Sequence, residues 1–388
     1  MADGLIYQAI AEFQKQLTLH ERAAFSEMVR VYGRGWQRIK RELTALLGEY
    51  QAALAAGEAI SPNWIYRAER YVSLNHQIAK ELARLEKITG TLITADQAWV
   101  INASAETARD MIILGAGRPP SGTELMLNRI DTRGIEIMVG MNQDSSPLSR
   151  LLRSISADGA KAASDALIEG IMLGKGARSI AGEVRDALGV QLTRAMTISR
   201  TEIIRAMRLS AEQVYMANQD VVPRWRWSAT GDGLTCPSCL AMHGKEFPVG
   251  EPMRSHVNCR CAPLPVTASW DEIGQRYGFD FSGVKEKGPT FDELAAKYDM
   301  QPKQIAAIQR RSMTGEQIFR LMPAEQQRAV LGNAKWLAWK DGQFSFDDLS
   351  KQTFSVEWGE GKGVPSLKEL IGADEAKRYS DEWRSRNE

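Results

Sequence analysis

Histidine and cysteine are scarce in this chain, with four of each among 388 residues. All four cysteines fall between Cys236 and Cys261, so a disulfide framework reaching across the molecule is excluded. Long apolar runs are missing as well. None reaches the roughly 18 residues that a spanning helix requires, and no membrane partner is expected. Neither sign of charge dominates: 49 Lys and Arg stand against 48 Asp and Glu, a net +1. Such a chain has no global field to draw in nucleic acid or an anionic membrane, so any such binding must come from a local patch. Repeats and low-complexity tracts are absent. The opening "MADGLIYQAIAEFQKQ" scatters Gln, Glu and Lys through its apolar positions and does not read as a signal peptide. The expected setting is a reducing cytoplasm, where clustered cysteines point to metal before disulfide.

What is present is an ordinary globular composition, 44% hydrophobic and 25% charged, long enough for two or three domains. From Leu5 to Leu114 the apolar period is helical. Ile6, Ile10, Phe13 and Leu17 form one stripe, and Trp36, Ile39, Leu43, Leu46, Leu47 and Tyr50 another. Ser61-Pro62 caps a further helix carrying Trp64, Tyr71, Leu74, Ile78, Leu82 and Leu85. Thr94 with Gln97 fits a capping box that would open another. Residues 1–115 thus read as an N-terminal helical bundle, ended by the breaker "GAGRPPSG".

Residues 150–267 read as a second unit. "RSIAGEVRDALG" is expected as a short helix capped by Ser179 and stopped at Gly189. The helix after it has a narrow, small-residue stripe of Ala195, Ile198, Ser199, Ala206, Met207, Ser210 and Val214. Arg194, Arg200, Arg205 and Arg208 lie off that stripe, and Arg200 with Glu202 is expected as a buried structural pair tying helix to sheet. At Val221 the period changes. "RWRWSA" sends Trp225 and Trp227 to one face and Arg224 and Arg226 to the other, as in a half-buried strand. "GKEFPVG" and "CRCAPLPVT" read as two more short strands. Residues 268–388 read as a C-terminal region of short helices. Capping boxes open it at Ser269/Glu272 and Thr290/Glu293, and helices follow at "MPAEQQRAVLG", "FSFDDLSKQ" and "SLKELIG" before a frayed end, "SDEWRSRNE". The fold class is mainly α, with a small zinc-stapled α+β module and a short β-sheet at its centre.

The chemistry is concentrated in residues 234–262. Structural zinc takes four thiolate or imidazole ligands, commonly as two close pairs from separate segments. Cys236-x-x-Cys239 supplies one pair, and His256-x-x-Cys259-x-Cys261 supplies the other. Cys236, Cys239 and Cys259 are the favoured ligands, the fourth place is contested between Cys261 and His256, and His243 is a distant sixth candidate. A closed shell of protein ligands makes the zinc a staple, not a catalyst. The alternatives are two disulfides, unmetallated cysteines filling a small core, a cysteine nucleophile paired with His243 or His256, and a catalytic zinc. For the last, the only carboxylates nearby are Glu246 and Glu251.

Taken in order, "GKGARSIAGEVRDALG", "TRAMTISRTEIIRAM" and "RWRWSATGDGLTCPSCLAMHGKEFPVGEPMRSHVNCRCAPLPV" resemble the head-morphogenesis domain of phage Mu F-like minor head proteins. Arg200-Thr201-Glu202, Asp232 before the Thr-Cys-x-x-Cys turn, His243-Gly244 and the closing His-x-x-Cys-Arg-Cys carry the likeness over Ile155–Val266. Val257 departs from it, standing where the family often has proline. The resemblance implies a non-enzymatic, low-copy minor capsid protein of the phage head interior. Its partners, at the portal vertex, would be the portal protein and possible scaffolding or major capsid proteins, and its work head assembly and DNA packaging or ejection. For weak, salt-sensitive DNA contact the best local patch is Arg194, Arg205, Arg208, Arg224 and Arg226. The competing readings are a nuclease or other effector enzyme built on the same domain, and a stand-alone zinc-ribbon nucleic-acid binder.

Overall fold

The computed structural model describes residues 2–67, 69–117, 119, 125–139, 147–281, 306 and 309–385. The helical period of the N-terminal region resolves into two long helices, α1 (Ala2–Ala55) and α3 (Glu69–Ala116), joined through the short α2 (Pro62–Arg67). The cap at Ser61 is real: its hydroxyl accepts from the Trp64 amide at 3.4 Å. Then come α4 (Thr132–Val139), α5 (Pro147–Met172) and the 41-residue α6 (Ala177–Ala217). Among the described residues no helix is long and apolar enough to cross a membrane.

The chain divides into two compact units that are interleaved in sequence. One holds Gln16–Val100 and Arg133–Ala206, and the other holds Met1–Lys15, Ile101–Thr132 and Met207–Glu388. Among the described residues the first contains helices and their connections but no strand. Leu43, Leu46, Leu47 and Tyr50 of α1 meet Leu74, Ile78 and Leu82 of α3, Leu167 and Ile171 of α5, and Ile180, Val184 and Leu188 of α6 in one buried core. Each set recurs at three- and four-residue spacing, so each helix gives the core one apolar stripe. Arg38 clasps the buried Glu81 with two charge-assisted hydrogen bonds of 2.5 and 2.6 Å. Those bonds hold the Glu81 carboxyl below the usual carboxylate range.

Three expected helix ends lie inside longer helices. Thr94 and Gln97 lie inside α3. Gln97 is fully buried and donates to the Glu202 carbonyl at 3.4 Å, so its side chain serves helix-to-helix packing, not a cap. Ser179 and Gly189 likewise lie within the uninterrupted α6. A helical glycine costs about 1 kcal/mol relative to alanine, which burial of Ile180, Val184 and Leu188 on the same helix outweighs. The pairing of Arg200 with Glu202 is also corrected. Arg200 binds Glu21, while Glu202 lies 3.6 Å from Arg205.

The second unit holds the sheet. Strands β1 (Arg224–Ser228), β2 (Glu246–Pro248) and β3 (Ala262–Val266) are antiparallel in the order β2-β1-β3, and the short helix α7 (Pro237–Met242) lies between β1 and β2 in sequence. Trp225 pairs with Phe247 on one side and Pro265 on the other, and Trp227 faces Pro263. Both indoles are buried, with Phe247 stacked on Trp225 at 4.6 Å. The same core takes Ala105, Ala108 and Ile112 from α3 and Ala211, Val214 and Tyr215 from α6. Alanines at the contact let the α3 backbone come close to the wide indoles. The small-residue stripe of α6 is buried as expected. Ser210 Oγ reaches the Ile101 carbonyl at 2.6 Å, and Ser104 Oγ reaches that of Met207 at 2.9 Å.

Beyond the sheet come α8 (Trp270–Tyr277), opened by the expected Ser269/Glu272 capping box, then α9 (Gly315–Arg320), α10 (Ala324–Leu331) and α11 (Asn333–Lys340). The Thr290/Glu293 box lies outside the described residues. "FSFDDLSKQ" is only half a helix. Phe346–Leu349 makes one 3-10 turn, and Lys351–Ser355 is β4, paired with β5 (Gly359–Gly363) in a hairpin. Helices α12 (Leu367–Ile371) and α13 (Ala373–Ser385) follow. The expected frayed end is instead helical to Ser385, with Tyr379 buried and Trp383 packed against the local core.

Candidate metal centre

The cysteine pairs are placed by two tight turns. Cys236 caps the six-residue α7: its sulfur accepts the Cys239 amide at 3.3 Å, and Pro237 fills the first helical position. On the opposing segment the Cys259 amide closes a turn onto the His256 carbonyl at 3.3 Å. Asn258 sits there at φ 63°, a left-handed conformation that asparagine tolerates where a β-branched residue does not. Cys261 stands at the entry to β3 and gives its amide to the Cys259 sulfur at 3.4 Å.

These turns bring all five expected ligands together. His256 Nε2 lies 3.1 Å from both Cys236 Sγ and Cys239 Sγ, and Cys239 Sγ lies 3.5 Å from Cys259 Sγ. Two donor triads result, Cys236–Cys239–His256 and Cys239–Cys259–Cys261, sharing Cys239, with the donor atoms of each within 4.8 Å of one another. A tetrahedral ion with bonds of about 2.0–2.3 Å sets ligand atoms about 3.5–3.8 Å apart, so a small outward shift of the imidazole admits it. The four cysteines are unbridged. The His256 ring is oriented from its far side. Its Nδ1 lies 2.7 Å from the Val257 carbonyl, which holds a proton on Nδ1 and turns Nε2 toward the sulfurs.

The electrostatics suit a cation. The hydrogen bond from the Cys239 thiol holds Cys236 down to about 5 against the cost of burial. Burial opposes a charge on His256, but its hydrogen bonds to Cys236 and Cys259 prevail and raise it to about 10. Negative charge therefore collects on sulfur in a buried place, where a bound cation would take over the compensation. Beneath the cluster lies Arg208, itself buried, with Nε 3.0 Å and Nη2 2.9 Å from the Cys261 carbonyl and Nη2 3.3 Å from that of Cys259. The fork fixes the backbone of two candidate ligands and sets a permanent positive charge behind their sulfurs.

Arg208 is therefore not a surface cation. The signal for this is in the sequence: Ile204, Ala211 and Tyr215 stand four before, three after and seven after it, and all are buried. The other arginines of the expected patch are divided between the two units. Arg194 donates to Ser154 at 2.8 Å and Arg205 lies beside Glu202, while Arg224 and Arg226 reach Glu246 at 3.3 and 2.9 Å.

His243 takes no part in the cluster. Its Nδ1 accepts the Ala229 amide at 2.9 Å, which leaves Nε2–H to donate to the Arg311 carbonyl, also at 2.9 Å. Burial depresses its pKa from the usual imidazole value. Glu246 is occupied by the two arginines, and Glu251 gives its carbonyl to the Trp225 indole at 2.9 Å. Among the described residues neither donor triad includes a carboxylate. The cluster can hold a metal ion with protein donors alone.

No curated protein and no solved structure matches the chain significantly. Residues 161–264, which span α6, the sheet as far as the middle of β3 and every donor of the cluster, match the phage Mu protein F like family, a family of phage head morphogenesis.

Proposed function

We propose that the chain is a non-enzymatic minor component of the phage head, whose sheet is held by a structural zinc ion. The observation that carries this reading is the coincidence of the family match with the donor cluster, all of whose members fall inside residues 161–264. The donors are thiolate and imidazole, the set that zinc prefers, and five of them leave a four-coordinate ion no vacancy for a reactive water. Such an ion contributes about 10–16 kcal/mol of apparent binding free energy, which becomes folding free energy for a three-stranded sheet with strands of three and five residues.

In the assembled head the chain sits in the interior at the portal vertex and binds the portal protein, with scaffolding or major capsid protein as further contacts. Its DNA contact is weak and independent of sequence, because Arg208 is buried and Arg224 and Arg226 already face Glu246. Co-expression with the portal protein of the same phage tests the reading. Retention on tagged portal rings, with no cleavage of DNA or RNA by the purified chain, is the expected result. Absence from both rings and finished heads would overturn it, as would nucleic-acid cleavage lost in His243→Ala.

A further inference from the structure

Helix α7 has two occupied faces. Cys239 and Met242 enter the core beneath the sheet, whereas Leu240 and Ala241 enter a separate core with Ile318, Phe319, Trp336, Leu337, Trp339 and Phe346. The second core belongs to the C-terminal module, which lies wholly outside residues 161–264. Its contacts converge on the backbone that presents the metal donors. Gly315, the first residue of α9, lies so close to α7 that a Cβ there would fall 1.7 Å from the Leu240 carbonyl oxygen. Ser350 Oγ meets Ser238 Oγ at 2.9 Å, between the two cysteines of the first pair. Lys245, just beyond α7, pairs with Asp347 at 2.9 Å.

The second donor segment is held the same way. Glu360 of β5 pairs with Arg254, and a Cβ on Gly361 would stand 2.6 Å from the Ser255 carbonyl oxygen, one residue before His256. The module therefore packs on both turns that must stay together for the donors to converge. Each turn is short, and α7 offers only six residues to hold its own shape.

From this juxtaposition we infer that the metal ion governs the docking of the C-terminal module, residues 314–371, onto the cysteine–histidine knuckle. The inference rests on the structural-ion reading above. With the ion bound, α7 and the Ser255–Cys261 turn form one rigid platform, and α9, the 3-10 turn and the β4–β5 hairpin seat on it. Without the ion the two turns separate, and the module loses the surface that buries Ile318, Phe319 and Phe346. Linkage makes the effect reciprocal: the factor by which the ion favours docking equals the factor by which docking tightens the ion.

The test uses the full chain, loaded with zinc or stripped by a chelator, with elemental analysis confirming each state. Hydrogen exchange is followed by mass spectrometry, and zinc affinity by competition with a chromophoric chelator. Stripping should abolish amide protection in residues 314–371 together with 236–261, and leave that of α1 and α3 between residues 39 and 85 unchanged. Gly315→Ala, which touches no donor, should lose protection in 314–371, still bind one ion, and bind it roughly tenfold or more weakly. Protection of 314–371 that survives verified stripping would overturn the inference. So would Gly315→Ala with an undocked module and unaltered zinc affinity. A gently prepared chain that holds no metal would defeat the structural-ion reading itself, an outcome the elemental analysis reports separately.

Discussion

Arg208→Met removes the guanidinium beneath the cluster while keeping most of the side chain's apolar volume. Two backbone carbonyls, those of Cys259 and Cys261, then lose a charged donor in a buried setting. A buried acceptor left unsatisfied costs about 1–3 kcal/mol. Two such groups give an expected loss of about 2–6 kcal/mol of unfolding free energy. The guanidinium also fixes the backbone of two candidate ligands, so zinc affinity should fall by about 10- to 100-fold, as for other residues that orient a ligand from behind. Urea unfolding of the zinc-loaded chain followed by far-UV circular dichroism reads the first effect, and chelator competition reads the second. Arg208→Lys keeps the charge but not the fork and should fall between the two. A Met variant that loses less than about 1 kcal/mol and binds zinc normally would show that Arg208 only fills space.

Three further outcomes follow from the geometry. His243 is held neutral between Ala229 and Arg311 with a depressed pKa, so it contributes stability above the ordinary imidazole value of about 6.5. As pH falls from there toward its lower folded value, the unfolded chain gains a proton that the folded chain refuses. The wild type should then lose up to about 1.4 kcal/mol per pH unit relative to His243→Gln, and parallel pH profiles in urea unfolding would contradict this. Gly182→Ala, inside α6 with open space where its Cβ would stand, should add about 0.5–1 kcal/mol and raise Tm. Gly159→Ala should lower Tm, because its Cβ would sit 2.6 Å from Gln191 Cγ and 2.9 Å from Leu82 Cδ1. A common sign for the two glycine variants would refute the continuous α6 and its close crossing.

Much of this was legible in the sequence wherever a pattern repeats over several turns. The stripes of α1, α3 and α6 and the alternation of Arg224, Trp225, Arg226 and Trp227 each reflect burial of one face, which periodicity records directly. The five donors were legible because zinc chemistry fixes residue type and spacing together. Features decided by tertiary contact were not. Thr94 and Gln97 carry a capping signature, yet the helix preceding them never breaks, and Gln97 finds its partner on α6. Gly359-Glu360-Gly361-Lys362-Gly363 has the composition of a loop, but it forms β5, because glycine alone allows the approach to Ser255 and Thr353. The end of the chain is polar enough to look solvated, and two aromatics, Tyr379 and Trp383, suffice to seat α13.

The zinc ion proposed for the cysteine–histidine cluster would have a direct spectroscopic signature. X-ray absorption at the zinc edge, on chain purified without chelator and assayed for metal content, reads that signature. About one zinc per chain is expected, with three sulfur neighbours near 2.3 Å and one nitrogen near 2.0–2.1 Å. Metal-free protein, or cysteines found bridged to one another, would contradict it.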